Sequence, residues 1–388
     1  MQKRSFVLSG LWRSCAVLLF LSASSLTYAG EMSSAESLGK ALFFDTSLSA
    51  NRTESCSSCH SPDQAFTDPR ETLAGRAASL GDDGTSIGDR NAPTAAYAAF
   101  APAFGKDRNG AWHGGMFHDG RASTLEDQAG GPPLNPIEMG MPNKAAVVAR
   151  LKENPEYVRA FAALYGAGVL DDADKGYAAM TEALATFERT AEFSPFDSRY
   201  DRALRGEVKL TDEEELGRTL FFSNQFTNCS QCHRLNAFPD GKQETFTNYA
   251  FHNIGVPENT ALRAINGVSS RDLGLYQNAA VNKDEAQKGK FKVPTLRNVA
   301  VTGPYMHNGV FKDLRTVVLF YNKYNSKAAR RQINPESGAA WAPPEVDGTL
   351  SMKELESGPP LKDKEIDALV AFLKTLTDRR YEPLLQDR

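Results

Sequence analysis

The chain has 388 residues, 41 % hydrophobic and 24 % charged, which is enough apolar material for two cores and too much for a disordered chain. Its formal charge of −4 gives a nucleic-acid role no electrostatic support. Five cysteines are present, and their positions carry most of what the sequence says about chemistry.

The chain opens with a basic segment, Lys3, Arg4 and Arg13, and an uncharged apolar run from Ala16 to Leu26. Thr27-Tyr28-Ala29 offers small residues at a cleavage point, so residues 1–29 are expected to be a signal peptide. The run is shorter than the ~20 residues of a spanning helix. The expectation is a periplasmic protein with no membrane insertion after cleavage. Cys15 leaves with the leader, and the mature chain is more acidic still.

Ser33 and Glu36 have the spacing of a capping box before the helix containing Leu38-Gly39-Lys40-Ala41-Leu42-Phe43-Phe44. Cys56-Ser57-Ser58-Cys59-His60 follows, and later Cys229-Ser230-Gln231-Cys232-His233. This is the frame of covalent c-type haem: two thiols add to the vinyl groups and the adjacent His reaches the iron. A redox dithiol lacks its βαβ setting here, and a zinc site would need the two distant pairs together. Cys56, Cys59, Cys229 and Cys232 are therefore expected to hold two haems c, with His60 and His233 as axial ligands.

Apolar spacing predicts helices over 145–165 and 175–190, and a last helix over 364–376 capped by Asp363. Thr211 and Glu214 form a second capping box, ahead of Leu216-Gly217-Arg218-Thr219-Leu220-Phe221-Phe222. Irregular Gly/Pro/Asn-rich stretches lie at 80–115, 129–143 and 330–360. No run of alternating strands is found. The context of the two haem frames repeats: the Leu-Gly helices match, Ala65-Phe66-Thr67-Asp68 echoes Ala237-Phe238-Pro239-Asp240, and His118-Asp119-Gly120 mirrors His307-Asn308-Gly309. The expected architecture is all-α: two cytochrome c-like domains related by internal duplication, with long irregular loops. The domains are placed at 30–200 and 201–388, with the polar stretch 194–209 at the boundary.

These residues carry a resemblance. The two haem frames, Arg90-Asn91-Ala92-Pro93-Thr94, His118-Asp119-Gly120-Arg121, Asn135-Pro136-Ile137-Glu138-Met139, Ser194-Pro195-Phe196-Asp197, Val293-Pro294-Thr295-Leu296-Arg297-Asn298 and Gly303-Pro304-Tyr305-Met306-His307-Asn308-Gly309 together resemble the bacterial dihaem cytochrome c peroxidase/MauG family. The match runs from about Glu36 to Leu376. The resemblance implies a peroxide site at the first haem, with Glu138 as its distal carboxylate, Gln128 as a hydrogen-bonding neighbour and Pro132 stiffening the loop. A carboxylate there can move the proton that peroxide cleavage requires. Met139 is the competing ligand at that iron. The resemblance also implies a calcium ion held by Asn91, Thr302 and Pro304, an oxygen-only set.

Three departures from the peroxidase pattern stand out. Asp89 lies where reductively activated members carry a His that caps the first iron, which implies an open site in the oxidised protein. Tyr321 lies twelve residues after Gly309, where the peroxidases carry a Met ligand. MauG-like proteins have Tyr at this place; a phenolate oxygen favours ferric or higher states. Met306 and Met352 are the alternatives. His118 replaces the family's inter-haem Trp, which leaves His118 and Trp112 as candidate relays and His307 as a structural residue near the haem. The expected function is hydrogen-peroxide-dependent oxidation of a partner protein at Trp or Tyr. The alternatives are a peroxidase drawing electrons from a small periplasmic redox protein, and a non-enzymatic dihaem electron carrier.

Overall fold

Gly39 and Gly217 occupy the same kind of place in the two halves of the chain. A side chain on Gly39 would collide with the Ala183 carbonyl and the Phe187 Cβ; one on Gly217 would collide with the Ala368 carbonyl and the Phe372 Cβ. Each glycine lets the helix before a Cys-x-x-Cys-His frame lie directly on the backbone of the last long helix of its half. The computed structural model in which this is seen describes residues 32–227, 229–235, 243–356 and 358–387.

The first half contains α1 (Ala35–Phe43), α2 (Cys56–Cys59), α3 (Leu125–Ala129), α4 (Lys144–Lys152), α5 (Pro155–Tyr165) and α6 (Ala173–Glu188). The second contains α7 (Arg199–Leu204), α8 (Asp212–Phe222), α9 (Cys229–Cys232), α10 (Thr260–Asn266), α11 (Leu314–Asn322), α12 (Met352–Leu355) and α13 (Asp363–Lys374). Two short antiparallel ribbons pair β1 (Gly105–Lys106) with β2 (Trp112–His113) and β3 (Phe251–His252) with β4 (Phe291–Lys292). The remainder is loop and short 3-10 turn.

Local chemistry corrects several expected boundaries. The helix expected over 145–165 is two helices, because Pro155 lacks an N–H and Asn154 caps the Glu156 N–H at 2.9 Å. The first cap is Ser34 with Ser37, not Ser33 with Glu36. The expected box of Thr211 and Glu214 is present. Asp363 is the first residue of α13 rather than its cap.

Two apolar clusters follow from the helix faces. Leu38, Leu42, Phe43, Phe66, Phe161, Phe187 and Phe193 bury together in the first half. Tyr200, Phe221, Phe246, Leu369, Phe372 and Leu376 do so in the second. A polar bond joins the halves: Tyr97 donates to Asp378 at 2.7 Å, and within the second half Asp378 also accepts from Asn298 at 2.8 Å. The Arg297 guanidinium is fully buried and pairs with Asp201 through both Nη atoms, at 2.5 and 3.0 Å.

The expected leader and the Ala237–Asp240 echo lie outside the described residues. Among those described, Thr245 and Phe246 stand in for Ala65 and Phe66. Thr94 donates to the Ala65 carbonyl at 2.6 Å and Thr295 to the Thr245 carbonyl at 2.7 Å. No described helix is long and apolar enough to cross a membrane.

Candidate active site

One cavity of about 560 Å³ runs through both halves. Cys56, Cys59 and His60 line it in the first half, and Cys229, Cys232 and His233 in the second. All four thiols are free of disulfides. The ring Nδ1 of His60 lies 3.1 Å from the Phe66 carbonyl, and that of His233 lies 2.9 Å from the Phe246 carbonyl. A carbonyl can only accept, so each Nδ1 carries the proton and each Nε2 keeps its lone pair. Burial pushes both imidazoles down, His233 to about 4, so neither is charged at neutral pH. A neutral imidazole oriented by a backbone carbonyl is what an iron ligand requires. The donor set and the cavity therefore fit one haem c in each half.

Glu138 enters the cavity from the loop after α3. The Asp82 N–H donates to the Glu138 carbonyl at 2.8 Å, and the Ala50 N–H donates to the Met139 carbonyl at 2.8 Å. Gly81 permits this approach, since a Cβ there would strike the Ile137 carbonyl. Asp82 is itself held by Ser49, Asn51 and Thr53. Burial pushes the Glu138 carboxyl up; Arg121 and Asn135 pull it back, and the Asp89 carboxylate adds to the rise. Gln128, Pro132 and Met139 line the same part of the cavity. Asp89 is an exposed residue that also lines it.

In the second half Tyr321 projects from α11 into the cavity near Cys229 and Cys232, and its hydroxyl bonds to no described residue. Met306 lines the cavity too. Met352 begins α12 and is absent from the lining. The helices α3 and α11 follow matching turns: the Met116 N–H donates to the Ala122 carbonyl, and the Tyr305 N–H to the Phe311 carbonyl. Counted from Leu125 and Leu314, Pro132 and Tyr321 hold corresponding places. A proline cannot ligate iron, whereas a phenol can.

His118 lines the cavity, while Trp112 stacks on Phe104 at 5.0 Å outside it. His307 stacks on Phe291 at 3.6 Å, and its buried Nε2 has no hydrogen-bond partner. Asn91, Thr302 and Pro304 all line the cavity. The Asn91 side chain donates to the Arg76 and Ala77 carbonyls at 3.1 and 3.4 Å.

Arg121 and Glu188 are among the lining residues that sequence reasoning gave no role. Arg121 was visible in the His118-Asp119-Gly120-Arg121 string. Glu188 was hidden at the end of the apolar face of α6.

Comparison with known proteins agrees with this geometry. The profile of the family described as Di-haem cytochrome c peroxidase matches residues 33–209. The chain is 56 % identical to methylamine utilization protein MauG of Paracoccus denitrificans over 352 residues, 90 % of each chain. The chain belongs to the dihaem cytochrome c peroxidase/MauG family. It is 32 % identical to cytochrome c peroxidase Ccp of Escherichia coli over 353 residues, covering 90 % of this chain and 59 % of that one. The diheme peroxidase BthA of Burkholderia thailandensis has the same fold: TM-score 0.78, 34 % identity, 89 % of this chain and 86 % of that one. As a member of the family the protein is a hydrogen-peroxide-dependent dihaem oxidoreductase, mostly helical as expected.

Proposed function

We propose that this dihaem enzyme uses peroxide to oxidise Trp or Tyr side chains of a partner protein in the periplasm. The observation that carries this reading is Tyr321, a cavity-lining phenol whose hydroxyl has no hydrogen-bond partner among the described residues, facing the second haem site. His60, Cys56 and Cys59 would hold the first haem; His233, Cys229, Cys232 and Tyr321 the second. The haems supply the iron that binds and reduces peroxide and stores its oxidising equivalents.

The chain's own residues do the rest. Glu138 moves the proton between the peroxide oxygens. Gln128 would steady the bound peroxide; Pro132 offers the first haem no ligand, and Tyr321 would offer the second a phenolate. Asp89 at the mouth offers no strong ligand to cap that iron. Asn91, Thr302 and Pro304 are proposed as calcium ligands, and His307 as a structural wall. His118 is the better placed of the two relay candidates. The halves 30–200 and 201–388 are proposed as domains descended from one ancestor.

The relative of highest identity cited above is named for methylamine utilisation, so a protein of that process is the first partner to test. The test begins with absorption and low-temperature EPR spectra of the fully oxidised protein. One high-spin and one low-spin haem, both altered by one equivalent of peroxide without pre-reduction, support this reading. Two low-spin haems that respond only after partial reduction sink it. Mass analysis of the peroxide-treated partner then identifies the oxidised residue.

A second reading is peroxide reduction with a small redox protein as donor, favoured by the likeness to the E. coli peroxidase. Rapid, saturable oxidation of a reduced cytochrome c distinguishes it.

A further inference from the structure

Glu188 closes α6, is 6 % exposed and lines the cavity. Among the described residues its carboxyl makes no hydrogen bond and no ion pair. It faces the Cys56 side of the first haem site. A buried carboxyl with no donor is unusual, because burial penalises its charged form. It also sits at the negative end of the α6 dipole, which disfavours the charge further.

The groups around it do not neutralise it. Arg189, next in the chain, is taken by Glu126 of α3 at 2.7 Å. From α1, Lys40 is taken by Glu192 at 2.6 Å and lies over the Phe187 ring. Tyr177 of α6 donates to the Gly130 carbonyl. Cys56 becomes a thioether when haem is attached. Burial, with the Glu126 carboxylate adding to it and Arg189 opposing it, pushes the Glu188 carboxyl up to about 8.

The second half shows that the fold does not need an acid here. Phe187 and Phe372 meet the paired glycines in the same way. The residue after each is Glu188 in one half and Leu373 in the other. Leu373 is a buried member of the second core. The first half carries an unpartnered acid where the second carries an alkyl chain packed in its core.

We propose that Glu188 is a redox-linked proton site of the first haem cavity. It releases its proton when the haem held by Cys56 and Cys59 loses an electron, and regains it when the electron returns. The O–H bond of the carboxyl breaks as positive charge appears beside it, and the proton leaves to solvent past Glu126 and Arg189. Peroxide, the oxidant of the family's reaction, takes two electrons, this one and a second from the haem held by Cys229 and Cys232, and with two protons from solvent leaves as two waters. This inference rests on the haem of the first half and is independent of which partner is oxidised.

The experiment is spectroelectrochemical titration of the holoprotein over roughly pH 6 to 9. It compares wild type with Glu188→Gln and with Glu188→Leu, which copies the other half. The midpoint potential of the first haem should fall with rising pH in wild type, and the slope should vanish in both variants. Redox-difference infrared spectra should show a protonated-carboxyl band in wild type that both variants lack. A wild-type potential independent of pH, or a slope and band that persist in both variants, overturns the proposal. Glu188→Gln keeps the shape of the side chain, so the proposal stays testable if Glu188→Leu misfolds.

Discussion

His118 donates from Nε2 to the Asn91 carbonyl across 2.9 Å, and the Asn91 N–H donates to the His307 carbonyl across 2.7 Å. The two mirrored histidines thus meet on one asparagine, also a proposed calcium ligand. Burial pushes His118 down to about 4, so it stays neutral at neutral pH. A neutral imidazole held by one backbone bond is a poor carrier of a single charge. His118→Phe should therefore lower stability by about 1–3 kcal/mol through the unpaired carbonyl. The peroxide response of the second haem should survive. Thermal unfolding measures the first effect and stopped-flow absorption the second. A second haem silent to peroxide in this variant would assign the relay to His118.

Glu138 is positioned by backbone on both sides, through the Asp82 N–H and the close approach of Gly81. Its side chain can therefore be changed without moving its loop. Glu138→Gln should slow the reaction with peroxide by roughly two decades or more, with the spectra of both oxidised haems nearly unchanged. Single-turnover kinetics against peroxide concentration checks this. An unchanged rate removes Glu138 from the chemistry.

Tyr321 should bind the second iron through its phenolate oxygen. Burial pushes its hydroxyl up, so ligation has to displace the proton. Tyr321→Phe should convert the second haem to a high-spin or water-bound form visible by EPR, leaving the first haem as it was. Tyr321→Met should raise the potential of the second haem. A second haem unaltered by either change would pass the ligand role to Met306, the methionine that lines the same cavity.

The haem frames and the helices behind them were legible because their signals are local. Two thiols and a His at fixed spacing, and a Gly that must touch a helix, leave the chain little choice. Single-residue breaks were less legible: Pro155 divides an apolar run whose periodicity continues through it. The second-half counterpart of the Phe66 carbonyl was also less legible. What matters there is a carbonyl orienting a histidine, and Phe246 supplies it without resembling its neighbours' sequence. Glu188 was illegible for a different reason. Whether an acid ending a helix faces water or a cavity depends on α1 and α3, which lie far from it in sequence.

Arg90 joins the halves at a buried junction. It reaches Asp272 through Nε at 2.6 Å and Nη2 at 2.7 Å, and Asp119 through Nη1 at 2.6 Å. The side chains of Asp119 and Asp272 are 5 % and 4 % exposed. Burial alone would raise both carboxyls, but the guanidinium beside them holds both below the usual range. A carboxyl depressed in the folded state contributes stability above its unfolded value of about 4. That contribution is lost as pH falls from there towards the folded values. Arg90→Met leaves the buried Asp272 without a cation and Asp119 with Arg121 alone, at 3.1 Å, and should cost about 3–5 kcal/mol at neutral pH. It should also weaken the loss of stability on acidification, because the two carboxylates gain less from ionising. Urea midpoints measured from neutral pH to below about pH 4 test both effects, and an acid dependence as steep in Arg90→Met as in wild type would show that other carboxylates set the acid limit.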